Sequence, residues 1–169
     1  MGMIINPYAF ASAPSGFFFG LKTNNGGGSP TSGDRAWASR WQCPSNGTIF
    51  QLTFAQKNNP SGLAKMLVFA DLGTAPGSLL ASSASVTVGA VTTVGALSLA
   101  VTAGTWYWLG FVTDGSAFGD VFQTSGGGLP SANRNCVKLA YSFTTPPSTF
   151  GTPDGNDTSE SLEIWADCL

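Results

Sequence analysis

Residues 105–113 read TWYWLGFVT. Successive side chains of a β-strand point to opposite faces. Trp106, Trp108 and Gly110 therefore share one face, and Tyr107, Leu109 and Phe111 share the other. Both faces are apolar, the pattern of a strand covered on two sides. Residues 65–70, KMLVFA, repeat it. Residues 47–56, GTIFQLTFAQ, alternate instead: Phe50, Leu52 and Phe54 make a core side, and Ile49, Gln51, Thr53 and Ala55 make the other. Further short strands are expected around Trp37 and Trp41 and at residues 79–81, 86–88, 91–99, 121–123, 137–143 and 162–165. Asp71 to Gly77 reads as a loop, with Pro76-Gly77 at the centre of a type II turn. No window carries a persuasive 3.6-residue period, and glycines interrupt each stretch long enough for a helix. Eight or more short strands specify an all-β fold, an antiparallel two-sheet sandwich. The Cys-Trp-Cys spacing of an immunoglobulin domain is missing, so the expected type is a jelly roll.

Composition narrows the class further. Of the 169 residues 43% are hydrophobic and only 9% charged, against about a quarter charged in an average domain. A net charge of -2 excludes a basic nucleic-acid footprint. Twelve Phe and five Trp exclude a disordered chain. Two-sided apolar strands exceed what one sandwich core hides, so the scarcity of charge reads as surface that faces protein. No run of 18 apolar residues is present, and no membrane helix is expected. The N-terminal stretch lacks a basic region before Lys22 and is broken by Pro7 and Pro14. It is not expected to act as a signal peptide.

The chain has no His, which removes Ser-His-Asp and Cys-His catalysis and His-ligated zinc or haem. Cys43, Cys136 and Cys168 are too widely spaced for a zinc pattern. They read as free buried thiols, with one disulfide as the alternative. Asp154, Asn156 and Asp157 could supply oxygen ligands to calcium, but their spacing is not that of an EF-hand loop, and a solvated turn is the plainer expectation. No cofactor is expected. Glycoside hydrolysis needs two carboxylates about 5 to 9.5 Å apart. Asp71, Asp114, Asp120, Glu160 and Glu163 are available without any indicated pairing, Glu163 being expected to face outward. The Asn46 and Asn156 sequons carry meaning only in a secreted chain, and the glycine run at residues 26–28 lacks the Lys-Ser/Thr of a phosphate loop. The expectation is a protein that is not an enzyme.

Two regions remain as candidate contact surfaces. Residues 1–30 read as an extended N-terminal arm ending in a Gly-rich linker, and residues 31–169 as the sandwich domain. Within the arm, Ile4, Ile5, Pro7, Tyr8, Phe10, Phe17, Phe18 and Phe19 are apolar groups suited to docking on a neighbour. Trp37, Trp41, Trp106 and Trp108 are candidates for stacking on a sugar ring or packing against another subunit, Trp106 being the best exposed candidate.

Residues 63–88, LAKMLVFADLGTAPGSLLASSASVTV, followed by residues 97–113, LSLAVTAGTWYWLGFVT, resemble a β-sandwich module that recurs in phage virion proteins and secreted bacterial proteins. The likeness lies in Phe69-Ala70-Asp71, Ala75-Pro76-Gly77, Leu79-Leu80-Ala81 and the stretch 103–111. It covers roughly residues 47–113, and the tail LEIWADCL is similar to the module's closing strand. IINPYAF at residues 4–10 resembles the starts of phage structural proteins. Trp106 before Tyr107-Trp108, and the lack of charges on the outer face, depart from the pattern. The resemblance implies a non-enzymatic structural protein of a virion, a capsid decoration (cement) or fibre-type component. Its expected partners are its own copies, as a homo-oligomer and most simply a trimer, and a major capsid or other virion protein. Neither nucleic acid nor membrane is among them. A carbohydrate-binding, receptor-recognising module is the alternative, with a glycan as ligand.

Overall fold

The computed structural model describes residues 16–22, 27–31, 35–57, 61–114, 118–125, 135–138, 140–157 and 160–169. Among these residues the chain forms strands only. In order they are β1 (Phe17–Gly20), β2 (Gly27–Thr31), β3 (Ala36–Gln42), β4 (Gly47–Lys57), β5 (Leu63–Asp71), β6 (Pro76–Ser82) and β7 (Val86–Thr87). There follow β8 (Val91–Val94), β9 (Leu99–Val101), β10 (Trp106–Thr113), β11 (Phe118–Ser125), β12 (Asn135–Lys138), β13 (Gly155–Asp157), β14 (Glu160–Leu162) and β15 (Ile164–Cys168).

The strands form two antiparallel sheets. In one, β1, β15 and β4 are neighbours in that order, and β8 and β9 pair with β4. In the other, the order is β3, β10, β5, β6. The chain thus folds back in nested pairs: β1 with β15, β3 with β10, β4 with β8 and β9, and β5 with β6. That nesting, shared between two packed sheets, is the double Greek key of a jelly roll. β2, β11 and β14 extend the first sheet, and β12 and β13 the second.

The period of two in β10 is realised as expected. Tyr107, Leu109 and Phe111 enter the core between the sheets, where Phe111 stacks on Phe54 with ring centroids 4.7 Å apart. Trp108 and Val112 point the other way, into a second apolar cluster with Leu67, Phe69, Tyr141 and Phe150. The two-sided strands are therefore covered on both faces by this chain itself. Residues 140–153 lay Tyr141, Phe143 and Phe150 across the outer face of the β3–β10–β5 layer.

Several local expectations are corrected. In β4, Leu52 and Phe54 face the core, but Ile49 joins them in place of Phe50. The cause is a bulge: Asp167 pairs with Gln51 and Cys168 with Ile49, so Phe50 is skipped and the alternation shifts by one residue. The β5–β6 reversal falls at residues 72–75, where Gly73 takes φ +85°; Pro76 and Gly77 already belong to β6. Gly27–Thr31, expected as a linker, pairs with β11, and Pro30 is tolerated there because an edge strand has one side without ladder bonds. The strand expected at 137–143 stops at Lys138, and Ala140 follows with φ +53°. Phe17–Phe19, placed within the arm and read as a short strand or an apolar plug, belongs to β1, which pairs with β15.

Cys43 and Cys168 are free thiols, both buried in the inter-sheet core. Burial pushes the Cys43 thiol above its ordinary value, against a hydrogen bond to the Ser45 carbonyl. Burial, then the neighbouring Cys43 and Asp167, push Cys168 up to about 12. The thiolate is the reactive species, so both should be inert in the folded protein. In a Cys136→Ser background, iodoacetamide at neutral pH is expected to spare native protein and to label the urea-unfolded chain fully. Labelling of the native protein at the unfolded rate would contradict the burial of both thiols.

Candidate functional site

Two surfaces gather polar and aromatic side chains. The first is the outer face of the β3–β10–β5 layer. Register places Arg40 opposite Trp108, and Trp108 opposite Phe69. Asp71 ends β5 two residues beyond Phe69 and turns back over the sheet. Its Oδ1 accepts hydrogen bonds from Arg40 Nε at 2.8 Å, Trp108 Nε1 at 2.8 Å and Gly73 N at 3.0 Å. Its Oδ2 accepts from Arg40 Nη2 at 2.6 Å. The guanidinium lies over the Trp106 ring, 4.2 Å from its centroid. Burial alone would raise the Asp71 carboxyl; the three donors and the Arg40 charge outweigh it and hold the group below its usual value. With every strong partner internal, this cluster is a clamp that closes the β5–β6 turn onto the sheet.

Beside it, residues 140–153 are tied down by Lys65, which donates to the Thr144 carbonyl at 2.9 Å and lies over the Phe143 ring. Leu79 N donates to Ser148 O and Phe150 N to Gly77 O, so this segment also caps the edge of β6. An apolar groove of about 620 Å³ runs between them, lined by Leu72, Pro76, Thr149 and Pro153 among others.

The second surface is the outer face of the β1–β15–β4 layer. Phe18 is 48% exposed. The Lys22 ammonium sits 4.0 Å from the Phe18 ring centroid and 5.6 Å from that of Trp165. It also forms an ion pair of 2.7 Å with Asp167, which accepts a further hydrogen bond from Gln51 Nε2 at 3.3 Å. A cleft of about 320 Å³ opens alongside, between Phe17, Phe50 and Leu169.

The expected site residues scatter across these settings. Ile4, Ile5, Pro7, Tyr8 and Phe10 lie outside the described residues. Phe19 is buried in the core and Phe17 packs against it, leaving Phe18 as the exposed one of the three. Trp41 belongs to the inter-sheet core and Trp37 packs on it. Trp108 is fully buried on the opposite face. Trp106 is half-buried beneath Arg40. The four indoles therefore form no common platform. Asp154 is exposed, while Asn156 and Asp157 pair along β13 with Cys136 and Asn135. Among the described residues no group of three His, Cys, Asp or Glu side chains is placed to hold a metal. Glu163, expected to face outward, is buried at the bend between β14 and β15, where its carbonyl accepts from Ala55 N.

Sequence reasoning missed Lys22, Gln51 and Asp167 as a group, and Arg40 as the partner of Asp71. Period-two alternation did carry a signal for the first set, since Trp165 and Asp167 share a face. Which strands lie beside that face is decided by topology. No known protein-family model matches the chain, and no curated protein is similar to it in sequence.

Proposed function

We propose that this chain is a non-enzymatic structural component of a phage virion, a capsid decoration (cement) or fibre-type protein that self-associates and docks on the particle. The observation that supports this best is the position of β1. Among the described residues it pairs with β15 alone and ends its sheet, and it carries the exposed Phe18. A short apolar strand at a sheet edge offers unpaired backbone groups to a second chain. Residues 1–15, which carry Ile4, Ile5, Tyr8 and Phe10, precede β1 in the sequence. The resemblance to virion modules points the same way.

The test is the mass of the full chain in solution and of a variant lacking residues 2–15. Light scattering is expected to show a trimer for the full chain and a smaller species for the deletion. A full chain that remains monomeric at all concentrations sinks the reading, and a deletion that still trimerises removes the arm from it.

A further inference from the structure

We propose that residues 140–153 are an exchangeable strap, and that the face beneath them is a docking surface for the same segment of a second copy of this chain. This goes beyond the role assigned to β1 and does not depend on the N-terminal arm.

The strap is the connection between two paired strands. Asn135 pairs with Asp157 and Val137 with Gly155, so both ends of the segment leave the sheet side by side. From the β12–β13 edge it crosses the outer face of β3, β10 and β5 to reach β6 at the opposite edge. There Ser78 and Thr149 form an isolated antiparallel bridge. Its hold is concentrated in few residues. Tyr141 and Phe150 are buried, whereas Ser142, Thr144, Thr145, Pro147, Ser148 and Thr149 between them are exposed. A positive backbone angle flanks each anchor: Ala140, just before Tyr141, has φ +53°, and Gly151, just after Phe150, has φ +78°. The Cβ of a left-handed Ala is crowded, so a strap that lets go relieves Ala140. At the other end glycine turns freely. The segment can therefore hinge at these two points while the β12–β13 ladder stays paired.

The ground beneath the strap specifies its occupant. An open strap bares an apolar face bearing Leu67, Phe69, Trp108 and Val112. It also frees the Leu79 N–H and the Gly77 carbonyl on the edge of β6. An open strand edge beside an apolar face invites pairing with another chain. One segment already matches both features. It lays Tyr141 and Phe150 on the face, offers the Ser148 carbonyl and the Phe150 N–H to the edge, and gives the Thr144 carbonyl to Lys65. The strap of a second copy makes the same contacts, so exchange builds a dimer from an interface that exists within one chain. Tethering gives a chain's own strap an effective concentration on the order of millimolar. Dilute protein therefore stays closed, and copies packed that densely exchange.

The test uses the Ser78–Thr149 bridge in a Cys136→Ser background. Ser78→Cys and Thr149→Cys, both at exposed positions, are made in separate full chains, mixed at about 1 mM and oxidised with glutathione disulfide. Exchange alone brings residue 78 of one copy beside residue 149 of another. The mixture is expected to yield a disulfide-linked dimer at several-fold the level reached by either variant alone. Oxidised when dilute, a chain carrying both substitutions is expected to close within itself, the control that the native bridge survives them. Variants also lacking residues 2–15 should cross-link to the same extent, which separates this proposal from the assembly reading. A mixture with no more dimer than its components, or a double variant that fails to close, would overturn the exchange. So would an excess that vanishes with the arm.

Discussion

Asp71→Ala is expected to lower the unfolding free energy by about 3 kcal/mol, the low end of the range for removing one partner of a buried ion pair, because this pair is partly buried. For a chain of this size that is a fall of roughly 10 °C in melting temperature. The carboxylate is the shared acceptor for Arg40, Trp108 and Gly73, and the Arg40 and Asp71 side chains are only 13% and 16% exposed. Without it the fully buried Trp108 indole N–H loses its acceptor and the guanidinium loses its counter-charge. The double variant Arg40→Met/Asp71→Leu should be more stable than Asp71→Ala, because replacing both charges removes the desolvation penalty that a stranded cation keeps. If the single and double variants are equally destabilised, the pair is not coupled.

The same carboxylate sets an acid limit. Its folded-state value lies below the usual one, so the stability it contributes is complete above the unfolded value of about 3.9. That contribution is lost as pH falls through the lower, folded value. Wild-type stability measured in urea should therefore drop below about pH 4, with a shallower slope in Asp71→Ala. Parallel slopes would remove Asp71 from the acid response.

The fold class could be read from β10 and β5 because their period is two and their composition leaves no helical alternative. What covered their outer faces could not. Both strands looked in need of a neighbouring subunit, whereas the cover for Trp108, Leu67 and Phe69 is Tyr141, Phe143 and Phe150 of the same chain. That segment has no periodicity to read; Pro146, Pro147 and Pro153 keep it irregular, and its partners Leu67, Phe69 and Trp108 lie about thirty to eighty residues away in sequence. The Asp71 clamp was half visible. An Asp two residues before a Gly suggests a side chain bonded to the turn backbone, and Gly73 N does donate to it. Arg40 was out of sight, because the nested pairing of β3 with β10 and β10 with β5 brings it there. The bulge at Phe50 was invisible for the same reason: it is a property of two strands together. The sugar-stacking idea suffered likewise, since alternation divides the indoles between faces but does not say which face stays open.

Phe150→Ala is expected to loosen the whole of residues 140–153, and Tyr141 can report it. Phe150 lies edge-on to Phe69 with centroids 5.3 Å apart and against Tyr141 at 5.7 Å. Truncating a buried Phe to Ala costs about 3 to 5 kcal/mol through lost burial and the cavity left behind. This segment is attached by one aromatic cluster and a few backbone bonds, so part of that loss should appear as local opening before global unfolding. Burial pushes the Tyr141 phenol up to about 12, while its hydroxyl donates to the Pro147 carbonyl at 3.2 Å. The neutral phenol is thus the form that the fold favours. Its contribution to stability is complete below the unfolded value of about 10 and is lost as pH rises through about 12. An ultraviolet titration, with Tyr141→Phe identifying the signal, should show Tyr141 ionising well above the ordinary range in the wild type. In Phe150→Ala the same phenol should ionise close to 10, at temperatures where the inter-sheet core is still folded by near-ultraviolet circular dichroism. A Tyr141 that titrates alike in both proteins would mean that the segment stays seated without Phe150. The second core would then owe its closure to the Lys65 tether and the β6 edge rather than to the aromatic cluster.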